Sequence, residues 1–247
     1  MIELSHVSKE YGSFKAVQDI SLVVQPGEIF GFLGVNGAGK TTTLKMLAGI
    51  LRPTSGSLKI CGYDIQTQAS EAKACTGYIP DRPHLYAKLT GREFLYFVAD
   101  LYKVPLPEAD TRIDALLSDY RLQEWQDELI ESYSHGMKQR IATCAALVHQ
   151  PRVLIVDEPM VGLDPHGARM LKDAFRRYAS QGMSILLSTH SLNVAEEVSD
   201  RLAIINRGSI IALGTLAEIR SSAGAQNQAL EEIFLQITSS HAQVEYA

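Results

Sequence analysis

The residues able to do chemistry fall into two groups far apart in the chain. Gly34-Val35-Asn36-Gly37-Ala38-Gly39-Lys40-Thr41 fits the pattern G-x-x-x-x-G-K-[ST]. Glycines at this spacing let the backbone curl until successive N–H groups face one concavity, which suits phosphate oxygens. The Lys40 ammonium adds a point charge for β- and γ-phosphates, and the Thr41 hydroxyl can ligate Mg²⁺. Thr42 opens a helix expected over 42–51, with Leu44, Leu47 and Leu51 on one face. Its positive N-terminal end then faces the same phosphates. The second group is Asp157-Glu158-Pro159, closing the apolar run Val153–Val156. Two carboxylates at the end of an apolar strand need a partner, and a Mg²⁺-nucleotide supplies one. Asp157 would hold the metal or its water, and Glu158 would polarise the water that attacks the γ-phosphate.

These groups must be delivered by strands. Ile29–Leu33, Val153–Val156 and Ile185–Ser188 are continuously apolar, as strands buried on both faces of a parallel sheet are. The last of them runs into Thr189-His190. A lone histidine is usually a hydrogen-bonded core residue, but ligands of open parallel sheets lie beyond the carboxyl ends of the strands. His190 sits at such an end, beside the cradle and the carboxylates. Ile2, Leu4, Val17, Ile20, Leu22 and Val24 alternate with polar residues, as in antiparallel strands with one buried face. Pro26-Gly27-Glu28 makes a turn, and Asn206-Arg207-Gly208 turns a hairpin between 202–205 and 209–213.

From about residue 82 to 150 the texture is helical. Leu89, Phe94, Leu95, Phe97, Val98 and Leu101 share one spacing and Ile113, Leu116 and Leu117 another, with Val104–Pro107 between them. Tyr133-Ser134-His135-Gly136-Met137-Lys138-Gln139-Arg140 starts another helix. Ser134 and Gly136 there form either an anion-binding helix end or a plain N-cap. The expected fold is an α/β nucleotide-binding core (1–81 and 151–214) with an N-terminal antiparallel β subdomain. A helical insertion (82–150) interrupts the core, and a helical tail (215–247) carries Leu230, Ile233, Phe234 and Ile237 on one stripe. Ser221–Gly224 is the expected joint to that tail.

Composition bounds the function. The 247 residues are 46% hydrophobic and 21% charged, with 28 acidic against 23 basic side chains and a net charge of −5. That excludes wholesale disorder and gives no electrostatic footprint for nucleic acid. The apolar runs fall short of the ~20 residues of a membrane helix, and the first residues lack the pattern of a secretory signal. Cys61, Cys75 and Cys144 are far apart in sequence, which suits buried thiols in a reducing compartment rather than a zinc site.

Taken in order, the motifs resemble the nucleotide-binding subunit of an ATP-binding cassette (ABC) transporter. The resemblance covers residues 1–215. Gly34–Thr41 is similar to its Walker A motif and Val153–Glu158 to Walker B; Ser134–Arg140 stands in the place of the signature. Gly162-Leu163-Asp164 looks like the D-loop and His190 like the switch histidine. It implies a P-loop NTPase (RecA-like) core, ATP and Mg²⁺ as ligands, and ATP hydrolysis coupled to transport through a separately encoded transmembrane permease. It further implies a peripheral position on the cytoplasmic face of the membrane. Two cassettes, a homodimer or a heterodimer, would close head to tail, bringing Ser134, Gly136 and Asp164 of one to the ATP of the other. Tyr11 falls where the family stacks an aromatic on adenine; a strand tyrosine turned into the core is the competing expectation.

The chain departs from the family pattern at Tyr133, His135 and Met137, where the signature usually reads Leu, Gly and Gln, and at Asp81, where a glutamine is usual. A carboxylate there can still ligate Mg²⁺. Asp81, the Met-Lys signature and Leu230–Leu235 resemble the branch serving drug, peptide or polysaccharide exporters. Two rivals stand beside this. A cassette acting on nucleic acid or ribosomes usually carries two cassettes or long insertions, and neither is present. A regulatory subunit with little turnover is argued against by Glu158 and His190.

Overall fold

The computed structural model describes residues 1–222, 224 and 230–244. Strands β1 (Ile2–Tyr11) and β2 (Phe14–Val24) form a hairpin whose alternation slips where the sequence spacing does. Leu4 faces Leu22, Val7 faces Ile20 and Lys9 faces Val17, with register shifts between these pairs. His6 and Asp19 adopt φ of 51° and 50° at the slip. These bulges turn Val7, Val17 and Ile20 back onto the inner face, which a flat two-residue repeat would not do. With β4 (Ser55–Ile60) and β5 (Tyr63–Asp64), added beyond β1, they make an antiparallel sheet ordered β2-β1-β4-β5.

The second sheet carries the chemistry. Strand β3 (Ile29–Leu33) is buried at every residue and leads into helix α1 (Lys40–Leu47). After α2 (Ala69–Ala74) comes β6 (Thr76–Ile79). Then the chain leaves the sheet for α3 (Gly91–Leu101), α4 (Leu106–Asp119) and α5 (His135–Leu147). It returns as β7 (Val153–Asp157), α6 (Pro165–Ser180), β8 (Ser184–Thr189), α7 (Leu192–Val198), β9 (Arg201–Asn206) and β10 (Ser209–Gly214). The strand order is β10-β9-β3-β8-β7-β6, parallel except for β10. Strands β3, β8 and β7 are therefore neighbours and end side by side. The β9–β10 turn has Arg207 and Gly208 both at positive φ, 47° and 85°, the backbone a two-residue hairpin needs.

Both faces of this sheet are covered. On one, Phe30, Phe32 and Ile155 pack against Leu44 and Leu47 of α1 and against Val7 and Val17 of the antiparallel sheet. On the other, Leu154 and Leu187 meet Phe175 of α6 and Ile141 of α5, and the insertion's own core of Leu95, Ile113 and Leu117 continues from there. Each such side chain contributes roughly 1.5–3 kcal/mol by leaving water. Helices α8 (Leu216–Ser222) and α9 (Leu230–Val244) follow. Ile219, Leu230 and Ile233 bury against Ala195, Leu202 and Ile204, so the tail docks on the core.

Several details differ from expectation. Helix α1 spans Lys40–Leu47 rather than 42–51, because Gly49 turns the chain at φ 65° and leaves Leu51 beyond the helix. Phe97 and Leu101 lie on the outer side of α3, 38% and 64% exposed, since Phe94, Leu95 and Ala99 already fill the inner one. Ser221 and Ser222 belong to α8, so no joint begins at them; Ala223 and the side chain of Ile237 lie outside the described residues. Only Cys144 is buried; Cys61 and Cys75 are half-buried. Burial first, and then the neighbouring Cys61 thiol, push Cys75 above the ordinary thiol range, so those two are brought together despite their separation in sequence. Among the described residues no helix is long and apolar enough to cross a membrane.

Candidate functional site

The loop from Gly34 to Gly39 leaves the end of β3 and winds into α1. Gly39 is the N-cap at φ 107°, and a Cβ there would come within 2.5 Å of the Ala16 carbonyl, so only glycine fits. With no side chain to cap it and no acidic residue in its first turn, α1 presents its amides to the space above the strand ends. Lys40 is 5% exposed; its Nζ donates to the carbonyls of Gly34 at 2.7 Å and Val35 at 3.2 Å. Val35, Asn36, Gly37 and Thr41 are exposed, Ala38 is buried, and Thr42 is half-buried.

Strand β7 delivers both carboxylates, but in different directions. Asp157, 1% exposed, accepts from Ser188 Oγ at 2.5 Å. Glu158 then adopts φ 49°, an unusual value for a non-glycine residue, and swings its side chain out of the strand line. One oxygen lies 3.5 Å from Lys40 Nζ. The other lies 2.9 Å from Nδ1 of His190 and accepts from the His190 backbone N–H at 3.3 Å. Ser188 also ties down the Glu158 backbone, its Oγ and its carbonyl accepting from that N–H at 3.2 and 3.1 Å. Three adjacent strand ends thus gather Lys40, Asp157, Glu158 and His190. Ser188 was legible as part of a strand, yet its grip on Asp157 depends on the β7–β8 pairing, which local sequence does not reveal.

Two cavities meet here. One of about 310 Å³ is lined by Asn36, Gly37, Lys40, Thr41, Asp81 and Glu158, with Phe14 and Thr42 also on its wall. Tyr11 is not in that wall. It faces Phe14 across the β1–β2 turn and is 48% exposed beneath Lys9, which overturns the core-tyrosine alternative. A larger cavity of about 790 Å³ shares Thr41 and Asp81 and runs past Asp157 and Tyr78 to Phe94, Val98 and Tyr102 of α3 and the turn after it.

Ser134 and Gly136 are elsewhere. Ser134 is the N-cap of α5, its Oγ accepting from Met137 N–H at 3.3 Å. Tyr133 is buried and donates to the Trp125 carbonyl at 2.6 Å, which accounts for an aromatic in place of leucine. Asp164 N-caps α6 by accepting from Gly167 N–H at 2.6 Å. Ser134, Gly136, Gly162 and Asp164 line a separate cavity of about 330 Å³ that contains no residue of the Gly34–Thr41 loop. The fold therefore brings the cradle, the carboxylates and His190 together and leaves the signature apart from them.

Comparison with known proteins agrees with this fold. Residues 17–161 match the family model described as ABC transporter. The chain is 37% identical over 224 residues to the linearmycin resistance ATP-binding protein LnrL of Bacillus subtilis (strain 168), covering 91% of this chain and 72% of that one. It is 38% identical over 221 residues to the Nod factor export ATP-binding protein I of Paraburkholderia xenovorans (strain LB400), covering 90% and 73%. A solved ATP-binding subunit of an ABC transporter superposes with a TM-score of 0.91 at 34% identity, over 96% of this chain and 99% of the other. The chain belongs to the ABC transporter family. It is an ATP-binding subunit, an ATPase whose hydrolysis of ATP drives transport.

Proposed function

We propose that two such subunits close head to tail over two Mg²⁺-ATP molecules and so energise a separately encoded transmembrane permease from the cytoplasmic face of the membrane. The observation that carries this is the division of the site. The cavity around Lys40 and Glu158 and the cavity around Ser134 and Asp164 share no residue within one chain, so a second cassette is the natural source of the missing half. In this assignment residues 1–81 and 151–214 form the nucleotide-binding core. Residues 82–150 form the signature subdomain, and 215–247 the tail.

The residues fit a triphosphate and its cation. The Gly34–Thr42 amides and the Lys40 ammonium bind phosphate, while Thr41, Asp157 and Asp81 supply the oxygen donors Mg²⁺ takes. When bound, Mg²⁺ neutralises charge on the β- and γ-phosphates. Glu158 accepts the proton of the attacking water, and His190 holds that carboxylate in place. Ser134, Gly136 and Asp164 reach the γ-phosphate from the other cassette, and the aromatic tip of the β1–β2 hairpin, with Tyr11 and Phe14, takes the base. Export, read from the Met137-Lys138 signature and Asp81, is supported by the names of the two relatives, one a linearmycin resistance protein and the other a Nod factor export protein.

Measurement of ATP binding and phosphate release by the complex tests these assignments. Glu158→Gln should bind ATP as the native chain does and lose turnover by about 10²-fold or more. Lys40→Ala should lose binding itself. Native turnover in Glu158→Gln, free of contaminating ATPase, would overturn the role given to this carboxylate.

A further inference from the structure

Tyr78 carries a hydroxyl that the fold places and does not pair. Tyr78 of β6 stands in register with Ile155 of β7. Side chains alternate along a strand, so Ile155 and Asp157 share a face, and Tyr78 is on it. This is the face covered by α1, and the Tyr78 ring packs against the cluster containing Leu44, Leu47 and Ile155. The hydroxyl is shielded from solvent and has no hydrogen-bond partner among the described residues. Tyr78 is among the residues lining the 790 Å³ cavity, with Thr41, Lys45, Lys73, Asp81 and Asp157.

A buried hydroxyl without a partner costs about 1–3 kcal/mol. A phenylalanine would fill the same volume at no such cost, so the oxygen calls for a partner from outside the chain. Burial first, then the charge of Asp157 and then that of Asp81, push the phenol up to about 12. It therefore stays protonated at neutral pH, able both to donate and to accept. The same cavity holds the three residues assigned above to the cation.

We propose that Tyr78 is a positioning residue for the hydrated cation of the nucleotide, its hydroxyl hydrogen-bonding a water of the ion's shell once ion and nucleotide fill the cavity. The proposal rests on the assignment of Thr41, Asp157 and Asp81 to Mg²⁺. It gives Tyr78 no contact with the reacting phosphate and no proton to transfer. Its part is to fix where a metal-bound water sits, and through that water the ion.

The test is calorimetric titration of the native chain and Tyr78→Phe with ATP, once with Mg²⁺ and once with a chelator, alongside thermal unfolding. One hydrogen bond lost in the ion's outer shell should weaken Mg²⁺-ATP binding about three- to tenfold. Metal-free ATP binding should hold, and the unfolding temperature of the nucleotide-free chain should rise, since phenylalanine removes the cost of the unpaired hydroxyl. A merely structural tyrosine would shift both titrations together or move only the unfolding temperature, and either result overturns the proposal. Equal Mg²⁺-ATP affinity in the two proteins overturns it as well. If the native chain itself binds ATP equally with and without Mg²⁺, the metal assignment fails and takes this inference with it. Electron paramagnetic resonance of bound Mn²⁺ gives a second readout, with an altered spectrum expected in Tyr78→Phe.

Discussion

His190 grips Glu158 at two points: its ring Nδ1 lies 2.9 Å from one carboxylate oxygen, and its backbone N–H donates to the same oxygen at 3.3 Å. Lys40 holds the other oxygen at 3.5 Å. The carboxylate is thus fixed from both sides, by the residue ending the cradle and by the residue following β8. In the role proposed for Glu158 such orientation matters, because small misplacements of a catalytic group are costly in rate.

His190→Ala removes the ring and keeps the backbone contact. Turnover should fall on the order of 10–100-fold, and ATP affinity should stay close to native because His190 is no part of the cradle. Phosphate release under saturating ATP, set beside the binding constant, separates the two effects. A parallel loss of affinity would mean that His190 supports the pocket and not the carboxylate.

His149 predicts an acid response unrelated to catalysis. Its ring stacks on Tyr102 at 3.6 Å, and its Nε2 lies 3.1 Å from the Thr76 carbonyl, so that nitrogen carries the proton. Nδ1 is buried without a partner among the described residues. Burial above all, with Arg112 adding to it against the Thr76 bond, lowers the ring to about 4. The unfolded chain would protonate near 6.5. Between those values it binds more protons than the folded chain, so stability is full above pH 6.5 and is lost as pH falls toward 4. From pH 7 to 5 the loss should be about 1–2 kcal/mol, allowing for the ring's partial exposure. His149→Phe keeps the stack and removes the proton site. Urea unfolding of both proteins at the two pH values should show the smaller loss in the variant.

What could be read from the sequence was whatever its own residues determine locally. Gly34–Thr41 and Asp157-Glu158 mark candidate groups through residue type, and the apolar strands that carry them are recognisable by burial on two faces. Pairing across the sheet was not readable. Ser188 is an unremarked strand residue until β8 lies beside β7, and Tyr78 is only a strand aromatic until its register with Ile155 puts it on the Asp157 face of the sheet. The same holds for Cys61 and Cys75, and for Phe14, whose place in the cavity wall follows from the β1–β2 turn. Helical spacing on α3 misled about Phe97 and Leu101, because an apolar residue on an exposed face has the same period as a core residue one turn away.

We propose that this exposed face of the insertion is where the permease docks. Tyr86 is 58% exposed and packs edge-on against Phe97 with ring centroids 5.1 Å apart, while Leu101 lies on the same helix. Phe94, whose spacing groups it with Phe97 and Leu101, is buried and serves the insertion's core. A photo-crosslinking side chain at Tyr86 or Phe97 in the native complex should capture the permease. One at Tyr63, exposed on the antiparallel sheet, should not. Crosslinks from Tyr63 with none from Tyr86 would place the partner on the wrong subdomain for this proposal.

Ser134 separates two roles that coincide in one atom. Its Oγ caps α5 by accepting from Met137 N–H at 3.3 Å, and losing such a cap costs about 1 kcal/mol. Its proposed second role, facing the γ-phosphate of the opposite cassette, depends on the space in front of the helix staying open. Ser134→Ala loses the cap and leaves that space open; Ser134→Arg loses the cap and fills it. On a Glu158→Gln background, where the proposed role of Glu158 leaves ATP unconsumed, the closed dimer should accumulate because ATP binds it better than the monomer. Size-exclusion chromatography with light scattering should then show an Mg²⁺-ATP-dependent dimer for Glu158→Gln and for its Ser134→Ala derivative. The Ser134→Arg derivative should stay monomeric while still binding ATP, since its own cradle is untouched. Because isolated cassettes can associate weakly, the same comparison is made with the permease present, reading closure by a crosslink between the two cassettes. If Ser134→Arg dimerises as Ser134→Ala does, the serine is a helix cap and nothing more, and the head-to-tail arrangement must draw its γ-phosphate contact from another element.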